Sequence, residues 1–385
     1  MGFFQELRLS RRPAAGLIAI GLFWGSFAAW LPEIKLRSGV SDAEFGALMM
    51  MSAVGGMITM ASAPRLQVRF GRGLMARSAM GVAVIALIPA LVGSAWGLGL
   101  ALLLIGAVMS LCDILANIRI SDIEARVGRS LMNLNHGLFS LALATSAAVM
   151  GLLRTLGVAH GVAVALVAAA VFGCALLARG GNPVAPDAAD AEPESGPVVP
   201  APWLLILPGA AILWLSFMAE NGTESWAAIH IERTLGAAGG IGAFGPAMFA
   251  LSMGIARLGG QALSRVLGEV RLLAISIGVA LVGAIALALA PGLLVAVIGA
   301  AGLGLGVAVV VPTGNSLLSR TVPAPQRASA IARAWTIGFT GFFVGPPVLG
   351  LVSEYVGLRG AFLLIAAIVA LMLPCLWLMA RRLRY

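Results

Sequence analysis

Apolar residues along this chain fall into long blocks separated by short polar, glycine- or proline-marked interruptions. Twelve blocks can be delimited: 14–32, 43–63, 74–93, 97–118, 132–153 and 159–178, then 203–228, 241–262, 271–290, 293–317, 329–351 and 359–379. Each is close to the roughly 20 residues that a helix needs to cross a bilayer's hydrocarbon core. Lipid offers no partners to the backbone, so such blocks must be helices unless they close into a barrel. A barrel would show alternating segments of about ten residues, and these blocks are long and continuous instead. The interruptions have turn chemistry: Pro64-Arg65, Gly71-Arg72-Gly73, Ser94-Ala95-Trp96, Arg126 to Ser130 and Pro323-Ala324-Pro325. The pattern predicts an all-α membrane protein with twelve transmembrane helices.

Composition supports the pattern. Of 385 residues, 60% are hydrophobic and 11% charged, and the mean hydropathy is +1.00. The formal charge of +9 raises the question of nucleic acid, but the basic residues cluster at block ends rather than on one polar surface. A lipid environment, and no nucleic-acid partner, is the expectation. Cys112, Cys174 and Cys375 all lie within apolar blocks and read as small buried hydrophobes rather than disulfide partners or metal ligands. The first block follows Arg8, Arg11 and Arg12 and leads into Pro32-Glu33-Ile34-Lys35 without a small-residue cleavage pattern, as in a retained anchor.

The basic residues also orient the chain. With the N-terminus in the cytoplasm, 20 of the 25 fall on the inside, three of them assigned to the connection after span 8 (Arg257, Arg265 and Arg271). Lys35, Arg37, Arg154, Arg233 and Arg359 fall outside. This is the bias of the positive-inside rule and places both termini in the cytoplasm. Residues 179–202 differ from their surroundings, with six prolines and four acids, and read as a polar linker. The predicted organisation is an N-terminal six-helix bundle (1–178), a cytoplasmic linker (179–202) and a C-terminal six-helix bundle (203–385). The bundles look like repeats. Gly71 and Gly268 lie 197 residues apart, Asn117 and Asn315 lie 198 apart, and each Asn is followed twelve residues later by an arginine, Arg129 or Arg327. Such weak internal symmetry is how secondary transporters are built.

The chain resembles the major facilitator superfamily over essentially its whole length. That family's loop after span 2 reads Gly-x-x-x-Asp-Arg-x-Gly-Arg-Arg/Lys; Arg69, Gly71 and Arg72 match, while Pro64 and Val68 replace the leading Gly and the Asp. The resemblance implies a gating role for that loop, with its charge relay incomplete. Three stretches are similar to the fucose-permease-like branch, including its uncharacterised bacterial inner-membrane members. They are Cys112 to Asn117 with Gly128 to Gly137 and Ser140, Glu220 to Trp226, and Gly341 to Gly350. The resemblance implies two six-helix bundles in the bacterial inner membrane, alternating access around a cavity lined by spans 1, 4, 7 and 10, and proton coupling at the Asp113 position. The second acid of such sugar–proton symporters is absent, because span 1 from Phe23 to Trp30 has none.

Polar groups inside spans give the candidate site. An ionisable side chain at the bilayer centre costs roughly 2.5–3.5 kcal/mol on insertion scales and usually faces a cavity or a partner. Asp113 and Asn117 lie one turn apart on span 4, so Asp113 is either a proton carrier or a structural acid paired with an arginine such as Arg119. Asn133, His136 and Ser140 form a stripe on span 5, where His136 is a proton relay or a packing hydrogen bonder. Glu220 and Glu224 share a face of span 7; such carboxylates repel unless one is protonated or a cation intervenes. Glu224 is alternatively a headgroup-level acid. Asn315, near Pro312, is a solute contact or part of a bending helix. Trp24 and Trp335 can stack on a sugar ring, whereas Trp30 and Trp226 are placed as interfacial anchors.

No phosphate-binding loop, metal-ligand cluster or enzymatic domain is visible, so no cofactor or metal and no enzyme activity are expected. The reading is proton-coupled uptake of a small polar solute, a sugar being one candidate, by a monomer. Asp113 and His136 serve the proton; Trp24, Asn117, Asn133, Glu220, Glu224, Asn315 and Trp335 serve the solute. The alternatives are proton-coupled export of an amphiphilic compound and a non-transporting membrane sensor or scaffold.

Overall fold

The computed structural model describes residues 3–179 and 201–382, so 180–200 of the expected linker lie outside the described residues. Among the described residues there is no strand. The helices are α1 (Phe3–Ser38), α2 (Asp42–Phe70), α3 (Leu74–Ile85), α4 (Ala95–Val127), α5 (Met132–Thr155) and α6 (His160–Leu177). After residue 202 come α7 (Trp203–Ile229), α8 (Phe244–Leu267), α9 (Glu269–Ala288), α10 (Leu293–Val307), α11 (Val310–Thr321), α12 (Arg327–Ala370) and α13 (Met372–Arg382). Among the described residues, eleven continuous helical stretches are long and apolar enough to cross a bilayer. The last, Ala324–Arg382, has 59 residues and is interrupted inside α12 at Gly357, where φ is 77°.

Several helices outrun their apolar blocks. The backbone hydrogen-bond ladder does not stop where the side chains become polar, so α1 continues to Ser38 and α4 to Val127. Pro64, expected at a span end, lies inside α2, which runs on to Phe70. Ends are set by caps and glycines. Ser41 and Glu44 form a reciprocal capping box at the start of α2 (3.2 and 2.9 Å), and Ser94 caps α4 through Gly97 N–H at 3.1 Å. Glycines with left-handed φ close equivalent turns: Gly39 and Gly236, Gly71 and Gly268, and Gly157 and Gly357. The first two pairs are 197 residues apart and the third 200.

Helices α1 to α6 pack among themselves, chiefly α1 on α5 and α2 on α4; beyond the linker, α7 packs on α12 and α10 on both α8 and α9. Small residues set the closest approaches, as expected where no hydrophobic difference drives helices together in lipid. A Cβ on Gly106 would sit 1.8 Å from Ser52 O, and one on Gly304 would sit 2.2 Å from Phe249 O. These contacts occupy matching positions before and after the linker. The two groups of helices meet through α5 against α8 and α2 against α12.

That meeting is tight at the end carrying the α1–α2 turn. Trp226 is fully buried there, edge-on to Phe45 with centroids 5.4 Å apart, and donates to Pro346 O at 3.2 Å. Trp30 is also buried and stacks on His160 at 4.2 Å. Neither is an interfacial anchor, because neighbouring helices cover both rings before lipid or water can reach them.

Candidate functional site

Between the two groups of helices lies a cavity of about 580 Å³. It is lined from α1, α2, α4 and α5 on one side and α7, α8, α11 and α12 on the other. Its polar groups form a connected line. Asp113 and Asn117 face the cavity from the same side of α4, and Asn117 Nδ2 donates to Asp113 Oδ2 at 3.0 Å. The amide oxygen of Asn117 lies 3.0 Å from His136 Nε2 on α5. An amide oxygen only accepts, so in this arrangement His136 Nε2 is the donor. One turn along α5, Ser140 Oγ donates to His136 O at 3.1 Å. It also accepts from Arg257 Nη1 of α8 at 3.1 Å. Arg257 Nη2 then reaches Glu220 Oε1 on α7 at 3.1 Å. A path of hydrogen-bonded groups, passing between His136 and Ser140 through the His136 main-chain carbonyl, thus runs from Asp113 on α4 to Glu220 on α7, crossing from the first group of helices to the second.

Asp113, His136, Trp24, Asn117, Asn133, Glu220, Glu224 and Trp335 all line this cavity. Asn315 does not; its Oδ1 accepts from Trp335 Nε1 at 3.2 Å, so it holds the indole that does face the space. Asp113 takes its hydrogen bond from Asn117 within its own helix. Glu224 has no hydrogen-bond or ion-pair partner among the described residues, although it lies one turn beyond Glu220. Arg69, in the last turn of α2, and Gly71 and Arg72, in the α2–α3 connection, do not line the cavity. Gly71 supplies the positive φ (59°) that ends α2, and the Arg69 guanidinium lies 5.7 Å from the Phe70 ring. The Arg72 side chain lies outside the described residues. Val68, where the family loop has its acid, is 89% exposed.

The residue that sequence reasoning misplaced is Arg257. Counted with the connection after span 8, it sits in the middle of α8 and reaches across the cavity. Its position inside the 241–262 block was the available signal; treating every arginine as a boundary marker hid it. The aromatic wall was also understated. Phe217, Phe339 and Phe342 join Trp335 in one cluster, with ring centroids 5.7 to 6.4 Å apart around Phe217. Asn221 faces the cavity too, its amide held by Phe342 O.

At one end of the cavity the groups of helices are latched. Asp42, the first residue of α2, is buried and accepts from Arg233 Nη1 at 2.7 Å and pairs with Lys35 at 2.9 Å. Ser353 of α12 donates to the same carboxylate. Glu354 accepts from the Asp42 and Ala43 N–H groups at 2.8 and 3.2 Å, an anion on the positive end of α2. Arg154 of α5 adds a bond to Glu232 at 2.6 Å. Asp113, Asn117, Asn133 and Trp335 lie toward the opposite helix ends.

Residues 214–384 match the sequence profile described as the Major Facilitator Superfamily. That match spans the helices from within α7 to the end of α13, in the second half of the chain. Among the relatives of the chain is an uncharacterised MFS-type transporter of Yersinia pestis, 28% identical over 348 residues, which cover 89% of this chain and 88% of that protein. Another is the membrane protein MosC of Rhizobium meliloti, 25% identical, over 90% of this chain and 84% of that one. Among solved structures, a mutant form of the nucleoside transporter NupG superposes with a TM-score of 0.72 at 16% identity, covering 96% of this chain and 99% of that chain. A bacterial homologue of the human lysosomal transporter Spinster gives 0.70 at 14% identity, covering 100% and 98%. These superpositions establish a shared helical fold.

Proposed function

We propose that this chain is a member of the major facilitator superfamily and a secondary transporter that moves a small polar solute, coupled to protons, by alternating access. Two six-helix bundles, 1–178 and 203–385, rock about the cavity, and Gly357 divides α12 so that the chain crosses the bilayer twelve times. The glycine pairs at matching turns support that division, as does the length of the 59-residue stretch. The bias of basic residues supports cytoplasmic termini in the bacterial inner membrane. The span 4–5 stretch supports membership of the fucose-permease-like branch.

The observation that carries the reading is the polar line across the cavity. Asp113 is the proton carrier. Asn117 links it to His136, and Arg257 continues the connection to Glu220 on the facing bundle. A change of charge at Asp113 is therefore felt where the bundles meet. Solute occupies the same space, against Trp24 and Trp335. The fold admits polar solutes, since one fold neighbour is a nucleoside transporter.

The test is solute flux in proteoliposomes with an imposed pH gradient. Asp113→Asn is expected to abolish accumulation against a concentration gradient while solute exchange persists. Unchanged accumulation in that variant overturns the coupling role. The seven Phe and Trp side chains of the lining favour a second reading, export of an amphiphilic compound. The sign of net flux in vesicles of known protein orientation separates the two.

A further inference from the structure

The cavity's lining holds more acidic than basic side chains, and the excess is local. It has three carboxylates, Asp113, Glu220 and Glu224, against one guanidinium, Arg257, among the described residues. That guanidinium is already committed. It lies 3.1 Å from Glu220 Oε1 and 3.1 Å from Ser140 Oγ, with 18% of its side chain exposed. An anionic solute would therefore have to displace Glu220 to reach this arginine. Glu224 stands one turn further along α7 on the same cavity wall, with no hydrogen-bond or ion-pair partner among the described residues. Two carboxylates at this spacing repel unless a cation or a proton intervenes. Arg257 forms its ion pair with the first and makes no direct bond to the second.

The surroundings of Glu224 suit an organic cation better than a bare ion. Phe217 lies nearly two turns before Glu224 on α7 and packs against Trp335, Phe339 and Phe342 of α12. Asn221, one turn after Phe217, is pinned to Phe342 O. Carboxylate and aromatic faces therefore line one wall, and aromatic faces attract cations through their quadrupoles. A metal ion would want several oxygen ligands converging on one point, and no group of three candidate metal-binding side chains exists among the described residues. The volume agrees: at about 30 Å³ per water, 580 Å³ holds roughly twenty waters, enough for a solute larger than one sugar ring of about twelve heavy atoms.

We propose that the transported solute carries a protonated amine, which Glu224 receives while the uncharged body of the solute lies against the α7–α12 aromatic wall. This rests on the transport reading for the cavity and deepens it by assigning the solute's charge. Asp113, on the opposite bundle, remains the proton site.

The test uses matched skeletons: glucosamine, glucose and glucuronate, and 2-phenylethylamine, 2-phenylethanol and phenylacetate. Binding is read on the purified full chain as the shift of thermal unfolding with ligand concentration. At least one amine is expected to bind tenfold or more tightly than both its hydroxyl and its carboxylate counterpart. Glu224→Gln is expected to erase that preference, and Glu224→Asp to keep it. An uncharged or anionic member preferred in its set, binding by no amine, or a preference that survives in Glu224→Gln overturns the proposal. An amine that binds in this way but crosses no proteoliposome membrane overturns the transport reading and leaves the charge assignment intact.

Discussion

At the scale of single residues, Arg257 is the most consequential side chain in the molecule. It is the one cation of the cavity lining among the described residues, and it ties α8 to Ser140 of α5 and Glu220 of α7. Both members of the Arg257–Glu220 pair are largely buried, with side-chain exposures of 18% and 11%. Removing one partner of such a pair strands the other and costs about 3–5 kcal/mol, whereas removing both together is far milder. Arg257→Gln is therefore expected to lower the thermal unfolding temperature markedly, and the double variant with Glu220→Gln to recover most of the loss. A double-mutant cycle on the detergent-purified protein measures the coupling; additive losses would show that the pair is not a unit. The amino-acid sequence exposed most of this site without exposing Arg257. Asp113, His136 and Glu220 stood out as polar groups inside apolar blocks, which the cost of burying them makes conspicuous. Arg257 was equally conspicuous, but arginines also mark span ends, and hydropathy alone does not separate a cavity arginine from a loop arginine. The indole of Trp335 was legible, while its support by Asn315, twenty residues earlier, needed the fold.

At the scale of helices, the existence and order of the elements were legible because lipid leaves the backbone no alternative to helix. Helix ends were less so. Hydropathy reports where side chains turn polar, and α1, α2 and α4 keep their hydrogen-bond ladders beyond that point. Trp30 and Trp226 show a related limit. Their distance along the span suggested the interface, but the packing of α6 and α12 over them is a property of the assembled helices. Close helix approach makes a sharper claim. In α4, a methyl group on Gly106 would meet Ser52 O of α2 at 1.8 Å, so α2 and α4 must separate to accept it. Overpacking of this kind costs about 1–3 kcal/mol. Gly173 of α6 has nothing within 4 Å of the same added atom, and there alanine gains about 0.8–1.0 kcal/mol of helix propensity over glycine. Gly106→Ala is thus expected to lower the unfolding temperature and Gly173→Ala to hold or raise it. Equal responses in a thermal scan would mean that the α2–α4 contact is looser than its geometry implies. Gly304→Ala, at the matching α8–α10 contact, should behave like Gly106→Ala.

At the scale of the whole molecule, the latch around Asp42 decides which end of the cavity is shut. Arg233 and Ser353, from the helices after the linker, converge on one carboxylate at the start of α2, and Glu354 caps that helix across the same boundary. Arg154 and Glu232 form a second tie nearby. The proposed alternating access requires all of these to part together, so on that proposal their strength sets the balance between the two states. Each charge-assisted hydrogen bond contributes about 1.5–3 kcal/mol. Since about 5.5 kcal/mol shifts a two-state ratio ten-thousandfold, losing half of that shifts it roughly a hundredfold. A state populated at about 1% would then approach half. Asp42→Asn keeps the size of the side chain and removes the charge that gathers Arg233 and Lys35. Spin labels at Leu36 on α1 and Tyr355 on α12, which are 80% and 81% exposed, report the opening when the native cysteines are replaced. Asp42→Asn is expected to add a longer component to the distance distribution, and Arg233→Gln to do the same. Asp113→Asn lies at the far side of the cavity and should leave the latch bonds themselves intact. An unchanged distribution in both latch variants would mean that the buried contact of Trp226 with Phe45 and Pro346, rather than the ion pairs, holds this end closed.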